Sequence, residues 1–398
     1  MTQATKHVYY QTHRSSVTLC EQEVRFVSKP GLAEWRSVPA STVLLAETVE
    51  AAANARVLLL GCGHGALAVA LARALSAGEI LLTDVNIIAL TMAEQTLRAN
   101  NVTNARIHQA VSVLPEQADA FDIVVLVAPK GRKLARRWLV EAFDALKLNG
   151  RLYLAGPNDE GIQSLIADAA ALFGSCALLT YKRRNRVAVA HKGSAPVERP
   201  AWVFEPGIAP GTWHKFSAQV GDTTYPLRSL PGVFAYDSVD DGTRLLLEKV
   251  AIEPDTRVLD FGCGHGIIGL AAVRAGAQQV DMLDVDLLAV ASAQANIEHH
   301  NATNARVLPS DGLQAARGQT YDLVISNPPF HTGKDVDFDV SQAFIEEGRS
   351  VLAPGGQLAL VANAFIRHER LLRQFFSHVE CIAENNRYRV LVASHTGA

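Results

Sequence analysis

The chain has 398 residues, is 48% hydrophobic and 19% charged, and carries a formal net charge of −3. That describes an ordinary globular protein with room for two domains, and the net charge alone points to no nucleic-acid partner. Five cysteines, an odd number with no Cys-x-x-Cys pair, argue against a disulfide framework and a structural zinc site and fit a reducing, cytoplasmic setting.

At the start, MTQATKHVYYQTHRSS has no apolar core, so no signal peptide is expected. A hairpin pattern covers 17–27. The most apolar window, 57–82, holds His64, Arg73 and several glycines, and reads as strand, loop and helix rather than a membrane span. VLLLGCGHGALAVAL (57–71) is followed by LLTDVNIIAL (81–90), NVTNARI (101–107) and FDIVVLVAPK (121–130). Two basic runs come next, KGRKLARR (130–137) and KRRNR (182–186). HKGSAPVERP (191–200), rich in Pro, Gly and Ser, marks a linker.

Beyond the linker the same text returns. A second hairpin pattern, 213–228, turns at Gly221-Asp222. LPGVFAYDSVDDGTRLLLE (230–248) matches KPGLAEWRSVPASTVLLAE (29–47), and VLDFGCGHGIIGLAA (258–272) matches 57–71 with Gly262 facing Gly61. DMLDVDLLAV (281–290), NATNARV (301–307) and YDLVISNPPF (321–330) match the later segments in order. Two tandem copies of one domain, 1–192 and 201–398, are therefore expected. In the second copy RVLDF (257–261) predicts a strand, a helix opens near Ile267, QQVDMLD (278–284) is a strand, and 287–299 is a helix. RVL (306–308), DLVIS (322–326) and QLALVA (357–362) are further strands. HVECIAENNRYRVLVAS ends the chain as two strands turning at Asn385-Asn386. Such alternation predicts an α/β fold, a doubly wound, Rossmann-like and mostly parallel sheet in each copy, preceded by its β-hairpin. Residues 1–200 carry 22 basic and 17 acidic side chains and residues 201–398 carry 15 and 23, so the front copy is the basic one.

DFGCGHG (260–266) follows a strand and opens a helix. Asp260 heads the loop, and Gly262, Gly264 and Gly266 let its backbone approach a ligand at a helix N-terminus. That spacing alone serves nicotinamide, flavin and S-adenosylmethionine (SAM) proteins alike. The next strand ends in Asp284, where an acid binds ribose hydroxyls, and the third ends in Pro-Ser-Asp, placing Asp311 at the same rim. A further acid there suits an adenine amino group and would repel a pyrophosphate, which favours SAM over a dinucleotide. Asp311 reads equally as a helix cap. Cys263 and His265 are expected to be packing and solvent-facing residues. Asp240 and Gly242 are expected near the cofactor or, equally, beside a plain helix cap at Asp241 or Thr243.

In YDLVISNPPFHTGKD (321–335) a buried strand stops at Asn327, because two prolines remove two backbone donors. The fourth strand of such a sheet ends beside the first, so Asn327 should lie near the glycine loop. The lone pair of an exocyclic base amine is delocalised into its ring. Two rigid acceptors, the Asn327 side-chain oxygen and the Pro328 carbonyl, would hold both N–H groups and favour a pyramidal nitrogen, with Pro329 stiffening the turn. Phe330 can stack on a base turned out of its helix. No general base is needed, because the quaternised nitrogen is acidic.

At this point GCGHG, the acid of LDVD and SNPPFHTG resemble the class I SAM-dependent methyltransferases that modify the 2-amino group of guanine in ribosomal RNA. Phe330-His331-Thr332-Gly333, with LPGVF and DxGT upstream, resembles the duplicated bacterial 16S and 23S rRNA enzymes more narrowly, the 16S type most. The resemblance implies seven strands per domain with the last antiparallel, SAM as cofactor, and catalysis by the second copy, with no metal. It implies rRNA or the small ribosomal subunit as partner and no membrane, and His331 and Lys334 as RNA contacts.

The first copy keeps Gly61, Gly63, Gly65 and Asp84 but has Val111 for Asp311 and Val127-Ala128-Pro129-Lys130 for the Asn-Pro-Pro-Phe run. It is expected to be catalytically dead, with one cofactor per chain. Lys130, Arg132, Lys133, Arg136 and Arg137, together with Arg183 and Arg184, are expected to bind RNA phosphates. Two other readings remain: a protein-glutamine or DNA-adenine N-methyltransferase, and a non-catalytic RNA-binding scaffold.

Overall fold

A computed structural model describes residues 8–113, 116–195, 197–328, 331–332, 335–336, 338–366 and 368–395, without side chains between 331 and 340. The chain forms two compact units, Tyr10–Trp213 and His214–Ala398, the latter joined by the N-terminal residues through Tyr9. These bounds differ from 1–192 and 201–398 for a packing reason. Tyr9 is buried and donates its hydroxyl to Asp311, 2.9 Å away. Trp202, also buried, lies under the Arg136 guanidinium at 4.9 Å and so belongs with the first unit.

In the first unit the hairpin β1 (His13–Leu19) and β2 (Gln22–Ser28) precedes α1 (Ala40–Thr48), β3 (Arg56–Leu60), α2 (Ala66–Ala74), β4 (Glu79–Thr83), α3 (Ile87–Ala99) and β5 (Ala105–Ile107). β6 (Phe121–Val127), α4 (Arg132–Ala145), β7 (Leu146–Pro157), α5 (Ile162–Phe173), β8 (Ala177–Lys182) and β9 (Asn185–His191) complete it. The second unit repeats the order. Its hairpin is β10 (His214–Val220) and β11 (Thr223–Ser229), followed by α6 (Asp241–Lys249), β12 (Arg257–Phe261), α7 (Ile267–Arg274), β13 (Gln279–Asp284), α8 (Leu287–His299) and β14 (Ala305–Pro309). Then come β15 (Tyr321–Ser326), a two-residue pair β16 (His331–Thr332) and β17 (Asp335–Val336), α9 (Phe338–Ser350), β18 (Leu352–Asn363), α10 (His368–Leu372), β19 (His378–Glu384) and β20 (Tyr388–Ser394).

Each unit holds a seven-stranded sheet, ordered β5-β4-β3-β6-β7-β9-β8 and β14-β13-β12-β15-β18-β20-β19. Neighbours are parallel except around β9 and β20, which run antiparallel to both flanking strands. The strand order reverses between β12 and β15, whose carboxyl ends flank the crevice where open α/β sheets bind ligands.

Side chains of β12 alternate between the two faces, as a pleated strand requires. Val258 joins one core with Ile268, Ile325 and Val361; Leu259 joins the other with Val324, Leu358 and Leu391. Full burial of each such side chain stabilises by roughly 1.5–3 kcal/mol, which makes the sheet a stiff base for the loops at its edge. α8 begins where Asp286 accepts from the Leu288 N–H at 2.7 Å. α6 is capped by Asp240, which accepts from Gly242 and Thr243 at 2.8 and 3.2 Å, so the cap falls one residue before the expected Asp241. Among the described residues no helix is long and apolar enough to cross a membrane.

Candidate active site

In the second unit the ends of β12, β13 and β15 open onto one cavity of about 620 Å³. Its wall includes Gly262, Gly264, Asp284, Asn327 and Pro328, with Asp240, Thr243 and Tyr388 beside the last two. The glycine loop is held from two sides. The Gly262 and Cys263 N–H groups donate to the Leu283 carbonyl, and Gly264 N–H donates to Asp284 at 2.9 Å. Gly262 and Gly264 have φ of +76° and +55°, and a Cβ at either would meet nothing within 4 Å, so both face open space. At Gly266 (φ +86°) a Cβ would come within 3.0 Å of Ala293, so this glycine serves the packing of α7 on α8.

Asp284 accepts from Gly264 with one oxygen and from the Asp286 N–H with the other. Burial raises its pKa and these N–H groups lower it. Asp260 is fully buried; one oxygen takes the Gly269 N–H at 2.9 Å, and burial pushes its carboxyl up to about 8. It lies beneath the loop and is not among the described wall residues. Asp311 is likewise not among them, although Ser310 and Gly312 are; it accepts from Tyr9 and Gln314. Cys263 and His265 are buried, which corrects the solvent-facing expectation. Phe216 meets the imidazole edge-on at 5.5 Å, and burial pulls the His265 pKa down to about 4.

Asn327 leaves β15 with its Nδ2 donating to Asp240 at 3.1 Å and to the Thr243 hydroxyl at 2.8 Å; the Tyr388 hydroxyl reaches Asp240 at 3.3 Å. Sequence reasoning noted Asp240 without this partnership and missed Tyr388 and Tyr9. The DxGT spacing was the available signal for the first, and nothing local marks the others. Pro329, Phe330 and Lys334 lie outside the described residues, as does the His331 side chain. Among the described residues no group of three or more His, Cys, Asp or Glu is placed to hold a metal ion.

The first unit keeps the loop and crowds it at Gly61. Gly63 N–H donates to Asp84 at 3.0 Å, as Gly264 does to Asp284. A Cβ at Gly61, however, would lie 3.1 Å from the ring of Trp138, a buried residue of α4, and 3.2 Å from the Val127 carbonyl. The neighbouring basic residues are also committed. Arg132 and Arg136 both fork onto Asp168 at 2.8–3.0 Å, and Lys133 pairs with Glu205. Arg137 is buried, with Glu141 at 3.6 Å and the Gly207 carbonyl at 2.9 Å. The expectation that this run presents five cations for RNA is corrected: Arg137 faces inward, paired with Glu141 one turn along α4 and with the distant Gly207 carbonyl. Lys130, Arg183 and Arg184 are exposed; Arg184 has Asp159 at 3.9 Å.

Fold and site define a protein of two methyltransferase-type α/β domains, the second with an open cofactor cavity. The methyltransferase small domain family matches residues 23–188 and 224–392. A ribosomal RNA small subunit methyltransferase C of Pseudomonas entomophila is 35% identical over 73% of this chain and 83% of its own, and one of Pseudoalteromonas atlantica is 36% identical over 71% and 80%. The structure of a T. thermophilus 16S rRNA N2 G1207 methyltransferase (RsmC), in complex with AdoMet and guanosine, matches with a TM-score of 0.79 at 30% identity. That match covers 98% of this chain and 99% of the other. The chain belongs to the methyltransferase small domain family, among the ribosomal RNA small subunit methyltransferases C.

Proposed function

We propose that the chain methylates the 2-amino group of a guanine in 16S rRNA, using SAM and the second unit, at the position named for the T. thermophilus relative, G1207. The observation that carries this is the single cavity shared by the glycine loop, Asp284 and Asn327-Pro328. A cavity of this size suits a nucleoside cofactor and a base together. Gly262 and Gly264 leave the loop open, whereas Trp138 stands against Gly61, the counterpart of Gly262, in the first unit.

SAM, when bound, supplies a sulfonium methyl that a nitrogen displaces in one step, the N–C bond forming as the S–C bond breaks. The protein's part is placement. Gly262 and Gly264 admit the cofactor to the backbone, and Asp284 has lone pairs left for ribose hydroxyls. Asp260 fixes the start of α7 through Gly269. Asn327 Oδ1 and the Pro328 carbonyl accept the two amine N–H groups, which draws the lone pair out of conjugation with the ring. The surplus proton leaves to water once the nitrogen is cationic. In this reading Phe330 stacks on the base, Asp311 lies toward the adenine end, and His331 and Lys334 meet the RNA. The first unit contributes Lys130, Arg183 and Arg184 as phosphate contacts. The ribosomal substrate implies a cytoplasmic site of action.

Methyl transfer is measured on small subunits from a deletion strain, naked 16S and 23S rRNA, DNA and a release factor. The expected product is N2-methylguanine at 1207 of 16S rRNA, located by mass spectrometry. Asn327→Ala is expected to lower kcat by roughly 10²–10³ with SAM affinity unchanged. Methylation confined to DNA, protein or 23S rRNA overturns the reading.

A further inference from the structure

The polarity of the Asn327 carboxamide decides whether it can grip an amine, since only its oxygen accepts from an N–H and only its nitrogen donates. The residues behind it fix that polarity. Asp240 Oδ2 accepts from two backbone N–H groups, those of Gly242 and Thr243, and its Oδ1 accepts from the Tyr388 hydroxyl. A group surrounded by donors presents an acceptor to Asn327 as well, so the end of the carboxamide turned toward it, 3.1 Å away, must be the NH2. The second N–H of that NH2 is taken by Thr243 Oγ1 at 2.8 Å. Both donors of the amide are thereby spent on α6, and Oδ1 is left on the opposite side. A flipped amide would set its oxygen against the Asp240 carboxylate and its NH2 against the incoming amine, two repulsions in place of two bonds.

We infer that Asp240, with Thr243 and Tyr388, is a positioning device that locks the Asn327 carboxamide with its oxygen toward the reacting amine. This rests on the methyltransferase reading above and adds residues to it. Two independent observations support the coupling. Gly242 sits so tightly between Asp240 and the Tyr388 ring that a Cβ would fall 2.8 Å from the carboxylate and 3.0 Å from the ring, so the group is built as one packed unit. The first copy, which lacks Asn327, has also lost its supports. Pro39 stands for Asp240 and leaves α1 without a side-chain cap, and Val127 stands for Asn327. Asn185, which pairs with Pro157 as Tyr388 pairs with Asn363, stands for the tyrosine. Thr42 alone persists in the place of Thr243.

The test removes each acceptor in turn in the full chain, assayed beside wild type on the small-subunit substrate. Asp240 Oδ2 takes the Asn327 N–H as well as the two capping N–H groups, so an amide at 240 that still capped α6 would still present an oxygen, and the informative changes delete the acceptor. Thr243→Val is expected to lower kcat at least 10-fold with the SAM Kd and Tm unchanged, and Thr243→Ser to restore it. Asp240→Ala removes the charged acceptor and is expected to lose more, the loss of its cap being read separately as a fall in Tm. Wild-type kcat in both Thr243→Val and Asp240→Ala, or a serine no better than the valine, overturns the inference. Absence of methyl transfer by wild type would instead overturn the functional reading beneath it.

Discussion

Asp260 lies in a strand buried on both faces, and its carboxyl is pushed up to about 8 first by that burial, against the pull of the Gly269 N–H and with a push from Asp284. Below about pH 4 the folded and unfolded chains both hold the proton. From there to about 8 the unfolded chain loses it and the fold retains it, so stability falls as pH rises through that window. His265, pulled down to about 4, has the opposite slope, losing stability as pH falls below its ordinary value. The informative comparison is therefore variant against wild type at each pH. Asp260→Asn, which keeps an acceptor for Gly269, should gain stability over wild type progressively from pH 5 to 8 in urea titrations. Parallel curves would show instead that Asp260 is charged within the fold.

Among the elements, α4 carries the clearest divergence between the copies. In the first unit its Trp138 closes on Gly61, although Asp84 and all three glycines persist. Calorimetry of SAM binding should give one site per chain, and two equivalent sites would show that Trp138 does not exclude the cofactor. The beginnings of α7 and α8 were legible in the sequence because local devices set them, a glycine in the left-handed region and an aspartate cap. The doubly wound, mostly parallel sheet, with its fourth strand beside the first, followed from the strand–helix alternation. The fate of α4's arginines was not legible, because Asp168 and Glu205 lie 32 to 72 residues downstream and no spacing rule links them. Tyr9 and Tyr388 escaped notice for the same reason: each acquires its meaning from an aspartate 302 or 148 residues distant.

At the scale of the whole molecule, the two copies differ in charge, basic in front and acidic behind, and the proposed division of labour follows that split. The β8–β9 turn makes this concrete. Arg183 and Arg184 both adopt positive φ, 52° and 60°, in a two-residue hairpin where Asn-Gly is favoured. Non-glycine residues held there cost on the order of 1 kcal/mol each, so the two arginines occupy the tip against local preference, as a phosphate-binding role would demand. Reversing both to Glu should weaken rRNA binding about 10-fold and reduce the salt slope by roughly 0.7–0.9 per lost contact. SAM affinity should hold, and unchanged RNA affinity would remove this surface from the account. The carboxylate-to-glycine bond, present in both copies, has its own implication. Since the aspartate holds the glycine turn in the same shape in both copies, Asp84 on Gly63 and Asp284 on Gly264, the turn needs no guest to shape it. The working pocket should stand ready before the cofactor arrives, sparing association the entropy of ordering a loop.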